Sequence, residues 1–283
     1  MIGINVFAGL CNRLFQMSFG YAYARRNNTK FRLENWSFVG PHSRNNYLYV
    51  VQNFLNSPYY HSERVEYDYK VNEDDKRFTE YIEDYNNLPN IQTKNYLIER
   101  GFFQNEKYFK EYRSDIIDML KEPEEVSNVF NTTLKNTVAQ LDDYHFIHVR
   151  LGDFVHHDKH WVNLENYYIK AIEEIKKNNE NPKFLLCSNR IDQLDIVYPR
   201  LKKYLVENIP DLIYTRHDEV ITFYLMLRCR KGGICGNSTF SWWPSWLNEN
   251  KEKEVYFPSR WMRTDDYNNN IDIYFEGSKI IDV

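Results

Sequence analysis

The 283-residue sequence has few cysteines, no excess of positive charge and no long apolar run. Its four cysteines are widely spaced and lie mostly inside apolar stretches, which excludes a dense disulfide scaffold and favours reduced thiols in a core. Acidic residues number 40 and basic residues 36, so no positive field is available to hold a nucleic-acid backbone. We therefore expect no nucleic acid among the partners.

The sequence also lacks the marks of export and of membrane insertion. Its first residues, MIGINVF, form a strand-like apolar run without the basic region and long apolar core of a signal peptide. No apolar run reaches the length that a membrane span requires. These absences predict a cytoplasmic protein without a membrane span, or else a chain from which an anchor has been removed.

Apolar material for buried cores is plentiful. Hydrophobic residues make up 42% of the chain and aromatic residues 17%, which excludes a disordered protein. The length suits either one large domain or two smaller ones, and we expect two. We place an N-terminal domain at 1–140 and a C-terminal domain at 141–283.

The C-terminal half alternates strand-like and helical patterns. The strand patterns lie at 144–149, 184–187, 212–214, 232–235 and 255–258. The helical patterns lie at 126–141, 164–177, 191–205, 220–229 and 240–247. Such alternation predicts a parallel sheet covered by helices, with ligands bound outside the carboxyl ends of the strands. In the N-terminal half only a strand at 2–7 and a helix at 13–26 are clear, and 37–95 shows no period.

The segment HVRLGDF follows the first strand of the C-terminal half. Because side chains alternate along a strand, His148 and Arg150 leave it on the same side, and Gly152 then lets the chain turn. An arginine at this place can bind a diphosphate through two parallel charge-assisted hydrogen bonds. Asp153 either orients Arg150 or accepts a proton. The alternative is a surface ion pair between Arg150 and Asp153 with no further role.

The segment GNSTFSWWPSWLN, at 236–248, begins a helix rich in aromatic residues. Asn237, Ser238 and Thr239 stand at its start, where hydroxyls and free backbone amides make a ready anion site. The alternative is simple N-capping of a buried helix. We expect core positions for Trp242, Trp243 and Trp246.

Two further segments carry weaker signals. The loop AGLCNR, at 8–13, has Gly9 as its single glycine, so it matches neither a dinucleotide fingerprint nor a phosphate-binding loop. In HHDKH, His156 and His160 would share one face of a helix, but a solvated loop is the simpler interpretation. No aspartate pair with metal-ligand spacing follows the strands, and we predict no metal site.

Taken together, AGLCNRLFQ, HVRLGDF and GNSTFSWWPSWLN resemble three motifs of the alpha-1,2-fucosyltransferases of glycosyltransferase family eleven: a GGLGNQ-like loop, HxRRGDY and NSSFSWW. Three more matches, GFFQNEKYF, ENYYIKAI and FPSRWM, extend the resemblance in order over nearly the whole chain. It implies an α/β fold of the GT-B type, with two Rossmann-like domains facing a cleft. It also implies transfer of L-fucose from GDP-fucose to an acceptor glycan, with inversion, an alpha-1,2 linkage, and neither metal nor other cofactor.

The resemblance also implies roles for individual residues. His148 and Arg150 contact the nucleotide, Arg150 stabilises the departing GDP, and Ser238 and Thr239, with Asn237 beside them, lie at the phosphates. Asn12 and its loop close over the donor from the N-terminal domain. We take Asp153 as the candidate general base.

The chain departs from the family motifs at several positions. The second arginine of HxRRGDY is Leu151, which on a strand points away from Arg150. The first loop has Ala8, Cys11 and Arg13 where the family has Gly, Gly and Gln, and Arg13 is a candidate replacement for the missing charge at the donor.

Two other functions remain open on this sequence. One is transfer from another GDP-linked deoxysugar, and the other is a non-catalytic module that binds glycans or nucleotide sugars. In the tyrosine-rich N-terminal half, Trp36, Tyr47 and Tyr59 are candidates to stack on acceptor sugars, with core packing as the alternative.

Overall fold

The computed structural model describes residues 1–34, 48–74, 76–268 and 271–283. The chain forms two compact units. Unit 1 comprises Met1–Pro123 and Asn270–Tyr274, and unit 2 comprises Glu124–Asn269 and Phe275–Val283. The boundary between the units falls after Pro123, earlier in the chain than the predicted boundary after residue 140, because residues 124–140 group with unit 2.

Within its described residues, unit 1 is built on a four-stranded parallel sheet. The strands are β1 (Ile2–Asn5), β2 (Phe31–Glu34), β3 (Tyr69–Asn72) and β4 (Tyr96–Arg100). The helices are α1 (Leu10–Arg26), α2 (Leu48–Leu55) and α3 (Arg113–Met119). Their order across the sheet is β2-β1-β4-β3. The sequence predicted β1 and α1 and left the other strands unassigned.

Helix α1 is buried along almost its whole length. Gly20 lets it approach β1 closely, since a Cβ there would lie 2.4 Å from the Cδ1 atom of Ile4. The ring of Phe19 stacks on that of Phe103 with their centroids 3.8 Å apart. These contacts make α1 the centre of the core of unit 1.

The short return of the chain to unit 1 is held by polar contacts. The Nδ2 of the buried Asn105 lies 2.7 Å from the backbone oxygen of Asp272, and the Nζ of Lys107 lies 2.7 Å from its Oδ2. The segment around Asp272 is therefore part of the folded structure of unit 1.

Unit 2 carries six parallel strands over its described residues. They are β5 (Tyr144–Val149), β6 (Lys183–Ser188), β7 (Ile213–Thr215), β8 (Gly232–Ile234), β9 (Glu254–Pro258) and β10 (Lys279–Ile281). The helices are α4 (Glu124–Asn131), α5 (Lys135–Val138), α6 (Glu165–Asn178), α7 (Leu194–Val197), α8 (Pro199–Asn208), α9 (Glu219–Arg228) and α10 (Thr239–Leu247). The order β7-β6-β5-β8-β9-β10 is that of a doubly wound Rossmann sheet. The predicted parallel α/β fold of this half is confirmed.

Two predicted helices of unit 2 are broken. The pattern at 126–141 forms α4 and α5 instead of one helix. The pattern at 191–205 is interrupted at Pro199, which starts α8 because its ring fixes φ and it has no backbone N–H to donate. The edge strand β10 was not predicted, since Lys279 and Ile280 are exposed and lack a buried pattern.

The core of unit 2 contains the residues predicted for it. Trp242, Trp243 and Trp246 are at most 2% exposed, and the first and last stack with centroids 5.8 Å apart. All four cysteines are buried and free, as predicted, and burial raises the pKa of the Cys235 thiol to about 12. Over the described ranges, no helix is both long and apolar enough to cross a bilayer.

Candidate functional site

The two predicted motifs of unit 2 meet at the switch point of its sheet. Strands β5 and β8 are neighbours, and the chain leaves them toward opposite edges of the sheet. In doubly wound sheets this is where ligands bind, at the carboxyl ends of the strands. Gly236 makes the approach possible, because a Cβ there would lie 3.1 Å from the backbone oxygen of His148 and 2.9 Å from the hydroxyl of Tyr168.

Arg150 lies just beyond the carboxyl end of β5. Its Nη2 donates to Oδ1 of Asp153 at 2.9 Å, with the arginine side chain 30% exposed and the aspartate side chain 63% exposed. This is the one hydrogen bond of the Arg150 side chain to the described residues. An ion pair so exposed to solvent contributes little free energy, so the guanidinium is open to a stronger anion. The predicted pair exists, and its further role remains a prediction.

Leu151, which alternation predicted to point away from Arg150, points into the core. Its side chain is fully buried in the cluster that includes Val149 and Leu164. Asn189 holds its backbone on both sides, accepting from its N–H at 2.8 Å and donating to its carbonyl at 2.9 Å. This contact has no sequence signature, because the two residues are 38 positions apart.

Gly152 completes the turn after Arg150. Its φ of +71° lies in the left-handed region that favours glycine, as its predicted role in a turn requires. Its N–H donates to Oε1 of Gln193 at 3.0 Å. Asn189 and Gln193, which both follow β6, therefore fix the loop that carries the guanidinium.

His148 is buried directly beneath this edge, with 3% of its surface exposed. Its Nδ1 lies 3.0 Å from the Oγ of Ser241, and its backbone oxygen accepts from the Tyr168 hydroxyl at 2.9 Å. Burial, aided by the charge of Arg150, lowers the pKa of His148 to about 3. The imidazole is therefore neutral near pH 7 and acts through hydrogen bonds instead of charge.

The N-terminus of α10 faces the same switch point. Ser238 is its N-cap, and the Ser238 Oγ accepts from the N–H of Phe240 at 3.3 Å. Ser238 and the first helical residue, Thr239, are partly exposed. The capping role is thus confirmed, while the free amides and the helix dipole still favour an anion at this end.

Asn237 has a structural role that the sequence did not predict. It is 5% exposed, and its Nδ2 donates to the backbone oxygens of His160 at 2.8 Å and Trp261 at 2.9 Å. Both amide protons are engaged in this way. Asn237 therefore holds two loops together, and in this arrangement its side chain has no proton left to donate to a ligand.

The loop HHDKH is solvated only in part. Residues 156–159 are exposed, but the Nδ1 of His160 lies 3.2 Å from the Sδ of Met262, and burial lowers the pKa of His160 to about 4. Among the residues that the structure describes, no group of three or more His, Cys, Asp or Glu side chains is arranged to hold a metal ion.

In unit 1, the loops that follow the neighbouring strands β1 and β4 are joined by polar contacts. Gln16 bridges the loops that follow these strands, accepting from the N–H of Phe7 at 3.1 Å and donating to the backbone oxygen of Gly101 at 3.0 Å. Asn12 accepts from Nε2 of Gln104 at 3.0 Å. The segments AGLCNRLFQ and GFFQNEKYF are thus brought together, and the contact of Asn12 with a donor stays a prediction.

Arg13 holds its own loop. It is 7% exposed, and its Nε donates to the backbone oxygen of Ala8 at 2.7 Å. Ala8 has a φ of 66°, in the left-handed region, where the related motif has glycine. Arg13 thus stabilises a turn, and its proposed charge on the donor remains a prediction.

Of the three candidates for stacking on acceptor sugars, Tyr59 is the one within the described residues. Tyr59 packs edge-on against Tyr21, with centroids 5.8 Å apart, which agrees with the core-packing alternative. Trp36 and Tyr47 lie outside the described residues.

A doubly wound sheet with an arginine and a helix N-terminus at its switch point defines an α/β protein suited to nucleotides. The chain belongs to glycosyl transferase family 11, whose sequence model matches residues 41–274. The predicted family resemblance is confirmed.

Two curated relatives come from Escherichia coli. An O-antigen biosynthesis glycosyltransferase, WbnK, is 28% identical over 178 residues, which cover 61% of this chain and 57% of WbnK. An alpha-1,2-colitosyltransferase is 27% identical over 291 aligned residues, which cover 92% of each chain.

Among solved structures, the fucosyltransferase NodZ from Bradyrhizobium has a TM-score of 0.54 at 14% identity, covering 86% of this chain and 91% of its own. The NodZ alpha-1,6-fucosyltransferase soaked with GDP-fucose has the same TM-score and identity, covering 87% of this chain and 92% of its own. The fold is GT-B-like, as predicted.

Proposed function

We propose that this protein transfers L-fucose from GDP-fucose to a hydroxyl of an acceptor glycan, with inversion, in an alpha-1,2 linkage and without a metal ion. The observation that carries the proposal is the position of Arg150. Its guanidinium lies at the switch point of the sheet of unit 2, is held only by an exposed carboxylate among the described residues, and is close in the fold to the N-terminus of α10.

The proposed chemistry is a single displacement. The acceptor oxygen forms a bond to the anomeric carbon of fucose while the bond from that carbon to the GDP oxygen breaks, so the configuration inverts. Negative charge grows on the departing diphosphate, where Arg150 and the amides of α10 supply fixed positive charge. The acceptor proton passes to a base. We assign this role to Asp153, which already lies beside Arg150.

The donor sugar has a second candidate from the same chemical class. The relative that matches over most of its length is named an alpha-1,2-colitosyltransferase, and colitose is fucose without one hydroxyl. NodZ, which shares the fold, is named an alpha-1,6-fucosyltransferase. The colitosyltransferase is more similar to this chain than NodZ is, which favours the alpha-1,2 linkage. Transfer of another GDP-linked deoxysugar is the alternative.

The test is release of GDP and formation of a glycoside. The protein is incubated with GDP-fucose and a panel of galactose-terminated oligosaccharides, with and without EDTA, and the linkage of the product is read by NMR. We expect release that depends on acceptor and persists in EDTA. A protein that binds GDP but releases none from any GDP-sugar is a binding module, and loss of turnover in EDTA would refute metal independence.

A further inference from the structure

Ser241 connects the N-terminus of α10 to the imidazole of His148. It lies in the first turn of the helix and is fully buried. Its Oγ is 3.0 Å from Nδ1 of His148 and 3.3 Å from the backbone oxygen of Ser238. A buried hydroxyl therefore lies between the N-cap residue and a ring at the carboxyl end of β5.

The direction of these two hydrogen bonds follows from the number of protons available. A serine hydroxyl has one proton, and a carbonyl oxygen can only accept. The contact with Ser238 is therefore satisfied only when Ser241 donates to it. Ser241 must then accept from His148, which places the proton of the imidazole on Nδ1.

The other neutral tautomer of His148, with its proton on Nε2, allows one hydrogen bond fewer. If Nε2 carried the proton, Ser241 would have to donate to Nδ1, and the carbonyl of Ser238 would lose its bond from the hydroxyl. That carbonyl would still accept from the N–H of Ser241 at 3.3 Å, so the Nε2–H form differs by the loss of one hydrogen bond. A ring protonated on both nitrogens is opposed by burial, which lowers the pKa of His148.

We propose that Ser241 is a positioning residue that fixes His148 as the Nδ1–H tautomer, so that Nε2 accepts a hydrogen bond from an O–H or N–H group of the nucleotide sugar. Within the described part of the chain, the structure shows no protein hydrogen bond at Nε2. A lone pair repels phosphate oxygens, so His148 recognises a hydroxyl or an N–H of the donor, and the diphosphate is left to Arg150. The second half of this inference rests on the proposed function, whereas the tautomer does not.

The tautomer is measured directly in the ligand-free, full-length protein. The chain is labelled with ¹⁵N-histidine, and a long-range ¹H–¹⁵N correlation spectrum distinguishes protonated from unprotonated ring nitrogens; His148→Gln identifies the signals of His148. We expect a protonated Nδ1 and an unprotonated Nε2. A protonated Nε2 in the unaltered protein would overturn the proposal.

Two serine variants test the role of the hydroxyl. Ser241→Ala should leave a mixture of tautomers, because neither ring nitrogen then has a fixed partner. Ser245→Ala is the matched control, since Ser245 is buried in the same helix and contacts the Sγ of Cys235 at 3.2 Å instead of His148. Ser245→Ala should retain the Nδ1–H form, and an unchanged tautomer in Ser241→Ala would exclude Ser241 from the role.

Turnover then tests recognition of the donor. Ser241→Ala should raise the KM for the donor about tenfold, the effect of one well-placed hydrogen bond, with a smaller change in kcat. Ser245→Ala should stay near the unaltered protein. An unchanged KM beside a disturbed tautomer would refute donor recognition by His148. An unaltered protein without turnover would refute the proposed function and leave the tautomer measurement standing.

Discussion

Asn189 holds the backbone of Leu151 from both sides, accepting from its N–H and donating to its carbonyl. The carboxamide thereby substitutes for a neighbouring strand just beyond the point where the pairing of β5 with β6 ends. Arg150 is the residue immediately before this clamp. The position of the guanidinium thus depends on an asparagine from the next strand.

Removal of this clamp should loosen the loop of Arg150. We expect Asn189→Ala to lower the free energy of unfolding by about 1 to 2 kcal/mol, because it removes two hydrogen bonds to the backbone, and to lower turnover as well. Urea unfolding and GDP release measure the two effects. Asn208→Ala is the control, since Asn208 is exposed on α8 and bonds only within its own helix. Equal behaviour of the two variants would contradict the clamp.

Loss of the guanidinium should affect the chemical step. Arg150→Ala should lower kcat about a hundredfold or more, the scale for removal of a preorganised charge from a developing anion. Arg150→Lys should recover little, since lysine lacks the fork that binds two oxygens. Steady-state GDP release is the measurement. Arg228→Ala is the control, because Arg228 lies in the last turn of α9, away from the carboxyl ends of the strands. Near-normal turnover of Arg150→Ala would reject the assignment.

Restoration of the second arginine of the family motif should harm this protein. Leu151 is fully buried, so Leu151→Arg places an uncompensated charge in the core. We expect a loss of about 3 kcal/mol or more in the free energy of unfolding, measured with urea. Leu151→Met, a swap of similar volume, should cost less than about 1.5 kcal/mol. A stable and more active Leu151→Arg would show that this side chain can reach the donor.

Ala8 is a site where glycine should stabilise. Its φ of 66° costs an alanine about 1 to 2 kcal/mol, which exceeds the extra chain entropy of glycine, about 0.4 to 1 kcal/mol. Ala8→Gly should therefore raise the free energy of unfolding by about 0.5 kcal/mol, seen as a higher Tm. Ala22→Gly, inside α1, is the opposite control and should lower it. A lower Tm for Ala8→Gly would contradict the strain.

The stability of the protein should fall as the pH is lowered below about 6.5. Burial lowers the pKa of His148 to about 3 and that of His145 to about 4, so the unfolded chain binds these protons first. The stabilisation is complete above the unfolded pKa and is lost as the pH falls toward the folded value. Each such proton contributes a slope of about 1.4 kcal/mol per pH unit.

Urea unfolding at pH 5 and pH 7 measures this slope. His148→Gln cannot take up the proton and should reduce the difference between the two pH values. His61→Gln serves as a comparison, because His61 lies in unit 1 and is partly exposed. If the free energies of unfolding at pH 5 and pH 7 differ as much in His148→Gln as in the unaltered protein, the ring of His148 is not buried in its neutral form.

The sequence could predict those strands and helices whose pattern depends on residues adjacent in the chain. The bounds of β5 match the prediction because every residue from Tyr144 to Val149 is apolar or buried in one run. Alternation predicted that Leu151 points away from Arg150, and its side chain lies in the core. The strand Tyr69–Asn72 could not be predicted, since its side chains are mostly exposed and show no period.

The polar contacts of the site were beyond prediction for a different reason. Asn237 donates to residues 77 and 24 positions away, and Gln193 accepts from a residue 41 positions away. Such partners are brought together only by the order of the strands. An asparagine that binds a ligand and one that holds two loops have the same sequence signature.

The return of the chain to unit 1 around Asp272 has a practical consequence for anyone who wishes to produce the halves separately. A single cut after Pro123 gives an N-terminal piece without the carboxylate of Asp272, which Lys107 and Asn105 bind. The C-terminal piece then contains residues 270–274, which belong to unit 1. To keep these contacts, residues 270–274 would be attached to the N-terminal piece and replaced by a short linker in the C-terminal piece.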